Sequence, residues 1–116
     1  MPHKTIDEFR AERSALTELT LEKANLEIKG FFSLDNQAYR EGALPVQTKE
    51  MLGLVASMVL RCDDCIFYHL DRCHEEGVST EELQDAMSIA LVVGGSIVIP
   101  HLRRAVRAWE EILNGS

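Results

Sequence analysis

Apolar residues recur at intervals of three and four positions along most of the chain, a spacing typical of amphipathic helices. No segment alternates apolar and polar residues over a sustained run, so the pattern predicts no strands. We therefore predict an all-α fold of about six helices forming one domain over residues 1–116. The predicted helices run from Ile6 to about Glu22, from about Leu26 to Tyr39, from Pro45 to about Leu60, from Cys62 to about Glu76, from the Ser79 cap to about Val93, and from about Ser96 to Leu113.

Residues that favour turns and caps separate these segments. Gly42 ends the second helix, and Gly77 suits the left-handed conformation that often follows a helix. Ser79 and Glu82 have the spacing of a capping box at the start of the fifth helix. The pair Gly94-Gly95 is expected to break that helix before the last one begins.

Two helices carry apolar residues whose placement bears on assembly. The last helix is predicted to bury a stripe formed by Ile99, Leu102, Val106, Trp109 and Leu113. The stretches 89–93 and 97–99 are apolar over an arc too wide for one small domain to cover. Because exposed apolar surface usually marks an interface, we expect a homo-oligomer.

Composition and charge exclude several classes of function. The chain is 46% hydrophobic and 27% charged, which is ordinary for a globular protein, and its net charge of −7 disfavours a nucleic-acid partner. The most apolar stretch, 89–99, is interrupted by glycines and falls short of the roughly 20 residues of a membrane span, so no membrane partner is expected. The first fifteen residues lack the apolar segment of a signal peptide, and an odd count of three cysteines argues against a secreted disulfide framework. We expect a cytoplasmic location.

Candidate chemistry is concentrated between Glu50 and Cys73. Cys62 and Cys65 form a Cys-x-x-Cys pair, and His69 follows Cys65 by four positions, the spacing at which helical side chains meet. On one helix the two thiols and the imidazole would share a stripe. Position favours Cys65 as the attacking cysteine because His69 can reach it, whereas Cys62 lies about two turns from His69.

A Cys-x-x-Cys pair at a helix start serves either redox chemistry or metal binding. Cys62 and Cys73 would lie roughly 16 Å apart along one helix, too far for both to bind one zinc ion. Redox chemistry is therefore favoured, with no metal. Glu50, on an otherwise apolar helix, is expected to be buried with a partner in the thiol–imidazole cluster. Cys73 is interpreted as a packing residue, and the role of His101 stays open.

The order Glu50, Cys62, Cys65 and His69 resembles the active-site motif of the alkyl hydroperoxidase D family, part of the carboxymuconolactone decarboxylase superfamily. The resemblance covers roughly residues 44–104, including Gly77-Val-Ser-Thr-Glu-Glu and Ala90-Leu-Val-Val-Gly-Gly. It implies an alkyl hydroperoxidase D-like helical fold in trimers or hexamers, and a thiol-dependent peroxidase or disulfide oxidoreductase. It also implies that Cys65 attacks the peroxide, Cys62 resolves the product, and Glu50 and His69 relay protons. An external dithiol or redox protein would then be the reductant, and no metal, flavin or haem cofactor would be needed.

One departure from the family pattern affects the expected chemistry. Asp64 stands where the best-known members have a histidine, and Asp63 adds a second negative charge beside the thiols. Like charge raises a thiol pKa and so opposes the helix dipole, and we expect Arg61 to offset part of this effect. Without the family histidine the proton relay is expected to be incomplete and peroxidase activity weak.

Two functions of other classes stay open. Glu50 and His69 could be the acid and base of a cofactor-free decarboxylase or isomerase, although true carboxymuconolactone decarboxylases generally lack the cysteine pair. Alternatively, the cysteine pair could belong to a redox-sensing oligomer without turnover.

Overall fold

The computed structural model describes residues 3–115, and over that range the chain is all-α, as predicted. The helices are α1 (Ile6–Lys23), α2 (Leu26–Ala38), α3 (Val46–Val59), α4 (Asp63–Glu75), α5 (Thr80–Gly94) and α6 (Ile99–Leu113). The predicted start of the last helix differs, because Ser96–Val98 forms a 3-10 turn before α6. None of the helices within residues 3–115 has the length and apolar character needed to cross a membrane.

Side-chain caps explain where several helices begin. The predicted capping box is present, since the Ser79 hydroxyl accepts from the Glu82 N–H and the Glu82 carboxylate accepts from the Ser79 N–H. Thr5 and Glu8 form a second capping box at the start of α1. Gly95, with a φ of 83°, ends α5 in a conformation that favours glycine.

The core lies between α3, α4, α5 and α6. Its fully buried members come from all four helices and include Leu54, Met58, Ile66, Leu70, Leu83, Ala90 and Ala105. α1 joins this core through its first turn, where the Phe9 ring meets the Phe67 ring edge-on with centroids 5.6 Å apart.

The buried face of α6 differs from the predicted stripe. Trp109 is buried as expected, but Ile99, Val106 and Leu113 are exposed. The buried positions are instead Ala105, Ala108, Trp109 and Ile112. The inward face of α6 therefore combines two small alanines with the large Trp109 and Ile112, and it is rotated away from Val106 and Leu113.

A large apolar surface remains uncovered. No residue of α2 is buried, and Phe31 on that helix is 69% exposed. On α5, Val92 is 83% exposed, and a groove of about 550 Å³ runs between α3 and α5. This α3–α5 groove is lined mainly by apolar side chains, which are Met51, Leu52, Val55, Ala56, Val59, Leu60, Ala86, Ile89 and Val93. The predicted apolar surplus on α5 is therefore confirmed.

Candidate active site

The two cysteines lie at the N-terminal end of α4. Cys62 is the N-cap residue, and its Sγ accepts from the Cys65 N–H at 3.2 Å. The preceding residue, Arg61, has a φ of 60°, and this left-handed turn carries the chain sharply from α3 into α4. Cys62 and Cys65 form a disulfide, and Cys65 is the more exposed of the two. A dithiol in this position can be oxidised and reduced by partners in solution.

Glu50 is buried, as predicted, with a side chain only 1% exposed. Its Oε1 lies 2.9 Å from His69 Nδ1, and its Oε2 accepts from Arg72 Nε at 3.3 Å. An ionised carboxylate can only accept hydrogen bonds, so with Glu50 in that form Nδ1 of His69 carries the proton and donates it. This tautomer leaves Nε2 as the basic nitrogen of the imidazole.

Tyr39 and Gly53 complete the surroundings of His69. The Tyr39 Oη lies 3.4 Å from Nε2, and burial, with the charge of Glu50, raises the pKa of Tyr39, so its hydroxyl stays a donor. A Cβ at Gly53 would lie 2.6 Å from His69 Cε1 and 2.7 Å from both Nε2 and Tyr39 Oη. Gly53 therefore makes the space that the imidazole occupies. Sequence analysis missed this residue, and its one local signal is a glycine within an apolar helix.

A cleft of about 380 Å³ opens between α1 and α4 beside the disulfide. Cys65 and His69 both line it, together with apolar Phe9 and Tyr68, and the Arg13 guanidinium lies 4.2 Å above the Tyr68 ring. The cleft has room for a small organic molecule next to Cys65. Among residues 3–115, the hydrogen-bond partners of the His69 nitrogens are Glu50 and Tyr39, and Cys65 shares the cleft with His69 without bonding to it.

The charge beside Cys62 is compensated from α6. Asp63 Oδ1 lies 2.7 Å from His101 Nδ1, and Asp63 Oδ2 accepts from Arg104 Nε at 2.8 Å. Arg61, the expected source of compensation, is exposed and forms no ion pair within the described range 3–115. Asp64 is exposed and lines the cleft.

Cys73 is the packing residue that its position predicted. Its side chain is fully buried, and burial raises the pKa of the thiol to about 12. Within the described part of the chain, no three His, Cys, Asp or Glu side chains are grouped so as to hold a metal ion.

This arrangement defines a class of small helical proteins in which a cysteine pair at a helix start lies near a buried glutamate–histidine pair. The sequence model of the carboxymuconolactone decarboxylase family matches residues 28–110, and the chain belongs to that family. The predicted superfamily membership is thereby confirmed.

Known proteins that resemble the chain agree with this assignment. Two crystal structures of a Thermotoga maritima protein match it. The first has a TM-score of 0.90 at 59% identity and covers 92% of this chain and 94% of its own. The second has a TM-score of 0.88 at 58% identity and covers 92% of this chain and 91% of its own. One of them is described as a carboxymuconolactone decarboxylase family protein and a possible participant in the antioxidative response. A Legionella pneumophila protein of the family shares the fold, with a TM-score of 0.85 at 24% identity over 91% of this chain and 95% of its own. An uncharacterised protein of the Paracoccus denitrificans cox locus is 25% identical over 99 residues, which are 85% of this chain and 88% of the relative.

Proposed function

We propose that the protein is a thiol-dependent peroxidase, or a disulfide oxidoreductase, whose working group is the Cys62–Cys65 pair. The observation that carries this proposal is the disulfide at the edge of a cleft that His69 also lines. A decarboxylase or isomerase would need the glutamate–histidine pair but would have no use for two cysteines at this position. The link of the Thermotoga maritima relative to the antioxidative response supports the same direction.

In the proposed cycle the Cys65 thiol first loses its proton to Nε2 of His69 through water in the cleft. The thiolate attacks one peroxide oxygen, so that an S–O bond forms and the O–O bond breaks. The departing oxygen takes the proton from the imidazolium and leaves as an alcohol or water. Cys65 is then a sulfenic acid.

The second half of the cycle returns the protein to the dithiol. Cys62 attacks the Cys65 sulfur, an S–S bond forms, and the hydroxyl leaves as water with the Cys62 proton. An external dithiol, free or in a redox protein, then reduces the disulfide by exchange and supplies two electrons and two protons. Glu50 keeps His69 in the tautomer that this cycle needs, because its Oε1 lies 2.9 Å from Nδ1 and accepts the proton on that nitrogen.

Peroxide consumption with a dithiol as reductant tests the proposal. The wild type should consume an organic hydroperoxide catalytically, and Cys65→Ser should not. Cys73→Ser is the matched control, because Cys73 is buried away from the cleft and should be dispensable if the variant folds. A wild type that forms the disulfide without sustained consumption would instead indicate a redox sensor, and activity on a carboxylic acid substrate without either thiol would indicate the decarboxylase class.

We also propose that the protein is a homo-oligomer, a trimer or hexamer, in which the α3–α5 groove is covered. The uncovered surface lies along the core helices α3 and α5 and includes the exposed side chains of Leu52, Leu60 and Val93. Monomeric proteins rarely leave apolar patches of this kind in water.

A further inference from the structure

The Asp63–His101–Arg104 cluster lies immediately beside the cysteine pair and has no part in the proposed cycle. Asp63 is the first residue of α4 and follows Cys62 directly. Its carboxylate is held on both oxygens by α6, at 2.7 Å from His101 and 2.8 Å from Arg104. The three side chains are between 18% and 26% exposed, so solvent screens them only in part.

The hydrogen bonds of the cluster join both oxygens of Asp63 to α6. Asp63 Oδ2 accepts from Arg104 Nε, and when Nδ1 of His101 carries a proton the imidazole donates to Oδ1. Arg104 Nη2 also lies 3.2 Å from His101 Nδ1, so the imidazole contacts both members of the Asp63–Arg104 ion pair. The cluster therefore needs Asp63 as its centre.

An uncompensated carboxylate at this position would oppose ionisation of Cys62. Like charge close to a thiol raises its pKa, and the N-terminal end of a helix lowers it. Arg104 cancels the charge of Asp63 and so leaves the helix terminus effective. Of the other cations nearby, Lys4 is paired with Glu12 at 2.8 Å and Arg61 is exposed to solvent, so within residues 3–115 the ion pair to Asp63 comes from Arg104.

We infer that Arg104 and His101 are positioning residues for the redox pair: they hold and neutralise Asp63 and thereby keep the Cys62 thiol acidic. A more acidic Cys62 forms its thiolate more readily when it resolves the sulfenic acid, and it leaves more readily when an external thiol attacks Cys65. This inference rests on the proposed redox role of the pair, but not on peroxide being the oxidant. It gives His101, at the start of α6, a defined role.

The test measures the pKa of the Cys62 thiol from the pH dependence of its alkylation by iodoacetamide. Cys65→Ser serves as the background, and mass spectrometry separates the Cys62 peptide from that of buried Cys73. Arg104→Gln should raise this pKa by about one unit. Arg103→Gln removes the same charge from an exposed neighbour on α6 and should leave the pKa within error of the background.

A second set of variants keeps the inference testable if Arg104→Gln folds poorly. Asp63→Asn removes the charge that Arg104 neutralises, so it should lower the pKa of Cys62. The double variant Asp63→Asn/Arg104→Gln should return it close to the background value. A shift in Arg104→Gln no larger than in Arg103→Gln, or a higher pKa in Asp63→Asn, would overturn the inference.

These measurements use no peroxide, so the outcome is separate from that of the peroxidase assay. A protein that shows the expected pKa shifts but does not consume peroxide would lose the proposed function and keep this inference. A protein with unshifted pKa values and full peroxidase activity would lose this inference and keep the proposed function.

Discussion

The substitution Gly53→Ala probes how tightly the site is packed around His69. The new methyl carbon would lie 2.6 Å from Cε1 and 2.7 Å from Nε2 of the imidazole, and 2.7 Å from Tyr39 Oη. Carbon atoms in contact prefer separations near 3.5–4.0 Å, so the ring or the phenol has to move by about 1 Å. The ring cannot move away freely, because Nδ1 is bonded to Glu50 on its other side.

The expected cost follows from two opposing terms. Alanine in place of glycine within a helix stabilises by about 0.5–1 kcal/mol, whereas overpacking a well-filled site costs about 1–3 kcal/mol. The free energy of unfolding should therefore fall by about 1–2 kcal/mol, which for a domain of this size lowers the melting temperature by roughly 4–8 °C. Peroxidase activity should fall further than stability, because the displaced group is the proposed base.

Gly30→Ala is the matched control. Gly30 lies within α2, and a Cβ there would meet nothing within 4 Å. This variant should gain about 0.5–1 kcal/mol and keep full activity. Thermal denaturation followed by circular dichroism, at equal protein concentration, measures the stability of both variants, and the peroxide assay measures their activity. If Gly53→Ala is as stable and as active as Gly30→Ala, the close packing around His69 is unimportant and the account of the site is wrong.

Three further predictions concern the carboxylate, the buried thiol and the assembly. Glu50→Gln should lower peroxidase activity at least tenfold and destabilise the fold by about 3 kcal/mol, because it leaves Arg72 and His69 without their buried anion. A variant as active and as stable as the wild type would contradict this prediction. Burial raises the pKa of the Cys73 thiol to about 12, so above about pH 9 the thiol ionises in the unfolded chain but not in the folded one. The stability of the wild type relative to Cys73→Ala should therefore fall as the pH rises above about 9. Urea titrations of both proteins at about pH 7 and about pH 10 measure this difference, and an unchanged difference would contradict the prediction. Light scattering should give the mass of an oligomer for the wild type and a smaller species for Val93→Glu, and a monomeric wild type at micromolar concentration would refute the interface.

Local patterns were sufficient to predict the helices and the main chemical groups. The capping box at Ser79, the glycine that ends α5 and the spacing of Cys65 and His69 are all short-range features that the sequence displays directly. Burial of Glu50 was predictable too, because it interrupts an apolar helix that has to pack. Each of these predictions depends on residues only a few positions apart.

The partners that complete the site come from distant parts of the chain. Tyr39 lies 30 residues before His69, and Arg104 lies 41 residues after Asp63, so no local pattern brings them together. Arg61, expected to offset part of the acidic charge, is exposed and forms no ion pair within residues 3–115, and the ion pair to Asp63 comes from α6 instead. The buried face of α6 was predicted wrongly because apolar residues lie on more than one side of that helix, and only packing against distant helices selects the side with Trp109 and Ile112 over the side with Val106.

The division of labour between the two thiols is the central claim, and one labelling experiment tests it most directly. Reduced Cys62→Ser and Cys65→Ser are exposed to mild peroxide with a dimedone-type probe that traps sulfenic acid, and mass spectrometry locates the label. We predict rapid labelling of Cys65 in Cys62→Ser, because no resolving thiol remains, and an unlabelled Cys62 in Cys65→Ser. Labelling of Cys62 in Cys65→Ser as fast as that of Cys65 in Cys62→Ser would contradict the account.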